Sequence, residues 1–273
     1  VARYDDSGTL LWLRQFGGSD TDEGLAVAAN AAGDVFVAGR TNGDLDGLHT
    51  GNTSWAGFVV RLDRAGTLRW TAQVGSPTSN ETLSGIGASV AGVSFAGGST
   101  DGNVDGTHAS STADDALLVR FDRDGRRRWL RQFGSGADEA DTIRAVQVNY
   151  RGEVFVAGDT AGNLDTNHPA DGSLDLFLAR YSQTGSRQWL RQLASDPGRD
   201  DSAVALTTTR TGQVWLTGYT TGNFSGSATG NTSVDAVLVG YSRTGWRRAK
   251  LQFGTDGDDW GQAVVVSRRG IAY

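Results

Sequence analysis

The residues of this chain best suited to holding an ion lie in one recurring segment. It reads Thr41-Asn42-Gly43-Asp44-Leu45-Asp46-Gly47-Leu48-His49, then Thr100-Asp101-Gly102-Asn103-Val104-Asp105-Gly106-Thr107-His108, then Thr160-Ala161-Gly162-Asn163-Leu164-Asp165-Thr166-Asn167-His168. A fourth copy, Thr220 to Ala228, degrades to Asn223, Ser225 and Gly226. Carboxylate and amide oxygens on a glycine-permitted turn suit a hard cation, so Asp44, Asp46, Asn103, Asp105, Asn163 and Asp165 form a candidate calcium set. Each copy supplies two or three such side chains against the roughly 6 to 8 oxygens calcium takes. The competing reading is an Asx turn, in which the side chain accepts from its own backbone and Gly supplies a positive φ. On that reading the chain needs no cofactor. All the histidines (His49, His108, His168) share one repeat position. Equivalent residues on a ring face separate neighbours, so a three-histidine zinc site is not expected, and each His is expected to hold its own linker.

Three further groups could carry chemistry. Acidic clusters recur at Asp22-Glu23, Glu81, Asp138-Glu139 with Asp141, Asp200-Asp201 and Asp258-Asp259. They read as a solvated rim on one face, or as a surface for a cation or basic partner. Trp12, Trp70, Trp129 and Trp189 share one repeat position, where Ala249 takes the fifth place. A buried aromatic hides about 150 to 250 Å², worth roughly 4 to 6 kcal/mol as an upper bound, so these read as packing between sheets. Trp55, Trp215, Trp246 and Trp260 break the repeat. They are candidates for sugar stacking or ordinary partial burial.

The elements that must position these groups are strands. The segment from Val1 to Trp12 recurs as Phe58 to Trp70, Leu117 to Trp129, Phe177 to Trp189 and Val237 to Ala249. The segment from Gly24 to Gly39 recurs at 83–97, 142–158 and 202–218, and starts again at Gly261. Each is two short apolar runs about a Gly turn, a hairpin pattern. Two hairpins per unit make a four-stranded antiparallel blade, and ten hairpins make five blades. The expected fold is all-β, a five-bladed β-propeller in one domain spanning 1–273. Its expected blades are 257–273 with 1–18, 24–75, 82–134, 140–194 and 200–254, the terminal hairpins pairing to close the ring. Small residues such as Ala26-Val27-Ala28-Ala29 place the 24–30 type strand innermost and the Trp strand outermost.

The unit resembles the SBBP-type β-propeller repeats of bacterial surface and secreted proteins. The resemblance rests on the Arg-[Tyr/Phe/Leu]-[Asp/Ser]-x-x-Gly-x-x-x-Trp half, the following Gln15-Phe16-Gly17 or Gln132-Phe133-Gly134, and the Gly-x-Val-Phe-Val-Ala-Gly-x-Thr half. It implies an extracellular or cell-surface setting and supplies no catalytic residues.

Composition narrows the function classes. With 273 residues, 39 Gly, no Cys and a net charge of −6, the chain has no disulfide or thiolate chemistry and repels nucleic-acid backbones on average. No apolar run approaches the roughly 20 residues of a membrane helix, so neither nucleic acid nor membrane insertion is expected. No Met occurs and no leader pattern opens the chain, so a piece or processed product of something longer is expected. Segments 25–30, 84–90, 143–149, 203–209 and 262–268 hold no Asp or Glu, which argues against a glycosidase with paired carboxylates on inner strands. The expectation is a non-catalytic binding or display scaffold for a protein or glycan partner. The alternatives are a structural or assembly element without a small ligand and, last, a glycoside-active enzyme.

Overall fold

A computed structural model describes residues 1–49, 54–107, 113–136, 138–165, 171–226, 233–267 and 269–273. His108 and His168 fall outside the described residues. Among the described residues every regular element is a strand.

Four sheets have four antiparallel strands each, in chain order. The first holds β3 (Asp22–Ala29), β4 (Val35–Thr41), β5 (Ala56–Leu62) and β6 (Leu68–Val74). The second holds β7 (Glu81–Ala88), β8 (Ser94–Thr100), β9 (Asp115–Phe121) and β10 (Arg127–Phe133). The third holds β11 (Asp141–Val148), β12 (Val154–Thr160), β13 (Asp175–Tyr181) and β14 (Arg187–Leu193). The fourth holds β15 (Asp201–Thr208), β16 (Val214–Thr220), β17 (Asp235–Tyr241) and β18 (Arg247–Phe253). Ahead of them β1 (Ala2–Tyr4) and β2 (Leu10–Leu13) form a two-stranded sheet.

The central strands of the first three four-stranded sheets are buried along nearly their whole length, because both sheet faces are covered by neighbours. Phe95, Leu118, Ile143 and Phe177 belong to one apolar cluster spanning the second and third sheets, so the core lies between sheets. The first strands of successive sheets meet backbone to backbone. Ser84 Oγ donates to Ile143 O at 2.6 Å, and a Cβ at Gly85 would lie 2.9 Å from Val146 N. Such crowding suits strands nearest an axis and explains the small residues there. Each first strand also carries a bulge, as between Gly24 and Ala26 or Leu83 and Gly85. Opposite it the second strand keeps a glycine (Gly39, Gly98, Gly158, Gly218), where any Cβ would collide with a first-strand carbonyl.

The architecture is therefore propeller-like, with sheets stacked face to face. The chain ends differ from the sequence-predicted closure. Asp259 N donates to Val234 O at 2.7 Å and Gly261 N to Gly218 O at 3.1 Å, so the last segment lies on the fourth sheet. Among its described residues one β-bridge joins Val266 to Ala272. Among the described residues no ladder joins 257–273 to β1 or β2, so the two terminal half-units do not pair with each other.

Candidate functional site

The linkers after β4, β8 and β12 hold the sequence-predicted oxygen ligands. Asp44 Oδ1 accepts from Gly47 N at 2.7 Å and His49 N at 3.2 Å. Asp46 Oδ1 accepts from Leu48 N at 3.0 Å and lies 2.9 Å from His49 Nδ1, while its Oδ2 accepts from Gln73 N at 2.9 Å. Gly47 supplies a φ of 80°. These are the bonds of Asx turns. Burial pushes Asp46 up, but the His49 ring and the Gln73 and Leu48 amides outweigh it and hold the carboxyl below its usual range. Ligand-capable atoms of Asp44, Asp46 and His49 lie within 4.8 Å of one another, the single such group among the described residues. In the second linker Asp105 Oδ1 accepts from Thr107 N at 2.8 Å and Thr107 Oγ1 at 2.7 Å, and Asn103 is exposed. In the third, Asp165 Oδ2 accepts from Gln192 N at 3.3 Å, and Asn163 is also engaged. The six predicted residues are thus split among three loops on different sheets.

A glutamine that is not among the sequence-predicted site residues anchors every one of these loops. Nε2 of Gln73, Gln132, Gln192 and Gln252 donates to the carbonyl of Gly43, Gly102, Gly162 and Gly222 at 2.7–3.0 Å. The same side chains accept through Oε1 from Val104 N, Leu164 N and Phe224 N at 3.0, 2.9 and 2.7 Å, and from Leu45 N. The signal was present in the recurrence of Gln before Phe, Val or Leu at the end of each Trp strand.

The acidic clusters are not a uniform solvated rim. Glu81, Asp141 and Asp201 open the first strands of their sheets and are fully buried, whereas their neighbours Asp138 and Asp200 are exposed. These strands also begin earlier than the sequence-predicted segments, which is how carboxylates enter them. Asp141 Oδ2 accepts from Ser135 N at 2.7 Å and Ser135 Oγ at 2.9 Å, and its Oδ1 has no hydrogen-bond partner. Asp201 repeats this with Ser195 N at 2.5 Å. Burial, reinforced by the charge of Asp115, pushes Asp141 up to about 6; burial with Asp175 does the same to Asp201. Glu81, held by Ser79 and Thr100, is also raised by burial. Sealed carboxylates of this kind can store a proton, but they offer a substrate no access.

The repeated tryptophans do pack between sheets, and they also hydrogen-bond. Trp12, Trp70, Trp129 and Trp189 each donate Nε1 to the turn carbonyl of the next sheet, Arg64, Arg123, Gln183 and Arg243 respectively, at 2.9–3.1 Å. Each indole lies over the turn glycine, 2.7 to 3.0 Å from where a Cβ would stand on Gly66, Gly125, Gly185 or Gly245. Arg3, Arg61 and Arg180 donate to the same carbonyls as their tryptophans. Arg14, Arg131 and Arg191 bond Gly66, Gly185 and Gly245 O at 2.8 to 3.1 Å. These arginines are clasps, not merely exposed charges.

Among solved structures, the microbial sialidase Hz136 superimposes with a TM-score of 0.50 at 11% identity, covering 82% of this chain and 45% of that one. That likeness concerns the fold alone. A protein of unknown function from Bacteroides caccae covers 91% of this chain and 87% of its own at 11% identity, with a TM-score of 0.36. In sequence, the regulatory protein FlaEY of Caulobacter vibrioides is 30% identical over 163 residues, 55% of this chain. The chain spans only 17% of the length of that relative. Residues 97–269 match the family model described as outer membrane protein assembly factor BamB, a β-propeller-type repeat match with nothing specific to SBBP-type repeats. With most of its length inside that match, and with stacked four-stranded antiparallel sheets to carry it, the chain belongs to the BamB-like repeat family.

Proposed function

We propose that the chain is a non-catalytic binding and display scaffold of a bacterial surface or secreted protein, recognising a glycan or protein partner outside the cytoplasm. The observation that carries this reading is the sealing of Glu81, Asp141 and Asp201 at 0% exposure, which keeps these first-strand carboxylates from any substrate. A glycosidase needs an acid and a base flanking an accessible bond. Incubating the purified chain with a polysaccharide panel tests this: retention without product release is expected, and turnover of any member overturns it. The reading includes the finer architecture as well, SBBP-type blades with five in the ring, the fifth made from 257–273 and 1–18. It is supported by the complementary half-units at the two ends.

The proposed scaffold needs no cofactor, because turn amides, Gln73 and His49 already occupy Asp44 and Asp46. Thermal unfolding with calcium and with excess chelator should agree within about a degree; a rise of several degrees with calcium would make the linkers ion sites by mass action. A second reading, an assembly element of a larger complex, is favoured by the assembly-factor description of the family and by the small fraction of FlaEY that the chain spans. Co-purification of one defined protein, with no glycan retained, would select it.

A further inference from the structure

The junction between the third and fourth sheets departs from the repeat at three positions that meet in one place. At the junction before it, Phe133 closes the gap: its ring lies 6.1 Å from that of Tyr181, and Leu190 is buried in the same cluster. One repeat later, Leu193 stands for Phe133, Lys250 for Leu190, and Trp246 for Ser186. Losing an aromatic ring and replacing a buried leucine by the chain's single lysine leaves a cleft of about 330 Å³ between β14 and the outer strands of the fourth sheet. That volume lies at the lower end of the roughly 300–1,000 Å³ typical of small-ligand sites.

The lining is cationic in a protein whose net charge is −6. Arg191, Arg247 and Lys250 face the cleft, no carboxylate lines it, and none of the three forms an ion pair among the described residues. Arg191 spends Nε on Gly245 O and Nη1 on Leu190 O, which fixes the guanidinium and leaves Nη2. Lys250 lies over the Phe224 ring at 4.1 Å and reaches only a carbonyl, Ala194 O, at 3.4 Å. Burial, then Arg247, lowers the Lys250 pKa against the opposing pull of Asp201, as expected of an ammonium short of a counter-charge. At the cleft mouth Trp246 is 76% exposed. An indole beside a set of cations matches a ligand with a flat apolar face and a negative group.

We propose that this cleft binds an acidic sugar unit, its carboxylate taken by Lys250 and Arg247 and its ring laid on Trp246. The inference rests on the scaffold reading and names a ligand class for it.

Calorimetric titration of the 1–273 chain with a uronic-acid trisaccharide, its neutral hexose counterpart and sodium sulfate tests the proposal. The uronate should bind at least about tenfold tighter than the neutral sugar, the worth of one charge-assisted hydrogen bond. Lys250→Leu, which installs the residue of the two preceding sheets, should remove that preference with thermal unfolding little changed. Trp246→Ser should weaken the uronate while leaving its salt dependence intact. Equal binding by sulfate alone, or uronate binding indifferent to Lys250→Leu, overturns the site. Neutral glycans retained without any uronate preference overturn this site and leave the scaffold reading standing, whereas loss of every glycan and protein partner removes both.

Discussion

The four internal junctions and the outward flank of the fourth sheet use the same repeat positions to opposite ends. At each internal junction an indole covers the next turn glycine and donates to the next turn carbonyl. On the last flank Gly240, Ala249 and Leu251 stand where the third sheet carries Arg180, Trp189 and Arg191. The row Phe155–Arg180–Trp189 becomes Trp215–Gly240–Ala249, with the Trp215 ring filling the space above Gly240. At the other end Gly8, the partner turn in the repeat, has nothing within 4 Å of a Cβ position. At the seam where the ends would meet, the indole half of the clasp is missing and the turn half, at Gly8, is uncovered. Sheet stacking is thus locked inside the array and unlocked at its margins, where Leu13, Val27, Leu251 and Phe253 remain exposed.

The sharpest way to break this contrast is to delete an internal clasp. Trp129→Ala should cost about 3–5 kcal/mol in denaturant unfolding, the range for emptying a packed aromatic site. A cost below about 1 kcal/mol would mean the clasp is ornamental.

The next effect concerns the buried acids of the internal junctions. Asp141 and Asp201 sit near 6 in the folded protein against 3.8 for the free side chain, so between those values the folded state binds more protons than the unfolded. Stability should therefore fall as pH rises from about 4 to about 6 and stay low above it. Asp141→Asn should flatten that slope and stabilise the protein at pH 7 by about 1–3 kcal/mol. Below about pH 4 the trend reverses. Protonating Glu153, which Arg243 and Arg180 hold below its usual range against burial, removes stability there.

Smaller still is the difference between two turn glycines of equal φ. Gly185 and Gly8 both stand at +82°, so alanine strains either backbone by roughly 1–2 kcal/mol, but only at 185 does the new methyl press on an indole. Gly185→Ala should exceed Gly8→Ala by about 1 kcal/mol; equal costs would remove the Trp129 contact from the account. Last, Ala249→Trp would change stability by less than about 0.5 kcal/mol on an open flank, and should exceed that where the proposed fifth blade brings the Gly8 turn beneath it. A larger gain would show the ring closing on Gly8.

The sequence by itself determined the unit: its hairpins, its antiparallel four-strand order, and the Trp position as an inter-sheet contact. Each of these rests on local alternation, turn glycines and recurrence, which are written in contiguous residues. It also carried the linker Asx chemistry at Asp44 and Asp46, since those side chains bond amides two to five positions away. Only the tertiary structure decided the rest. Asp141 and Asp138 look alike in sequence, yet one is sealed beside Asp115 and the other is exposed, because burial depends on the neighbouring sheet. Gln73 anchors a loop some 30 residues upstream, and Trp129 bonds a carbonyl 54 residues on. The cleft at Lys250 exists because Leu193 and Trp246, distant in the chain, come together across a junction. Partners so far apart are paired by the stacking of sheets, which local patterning does not encode.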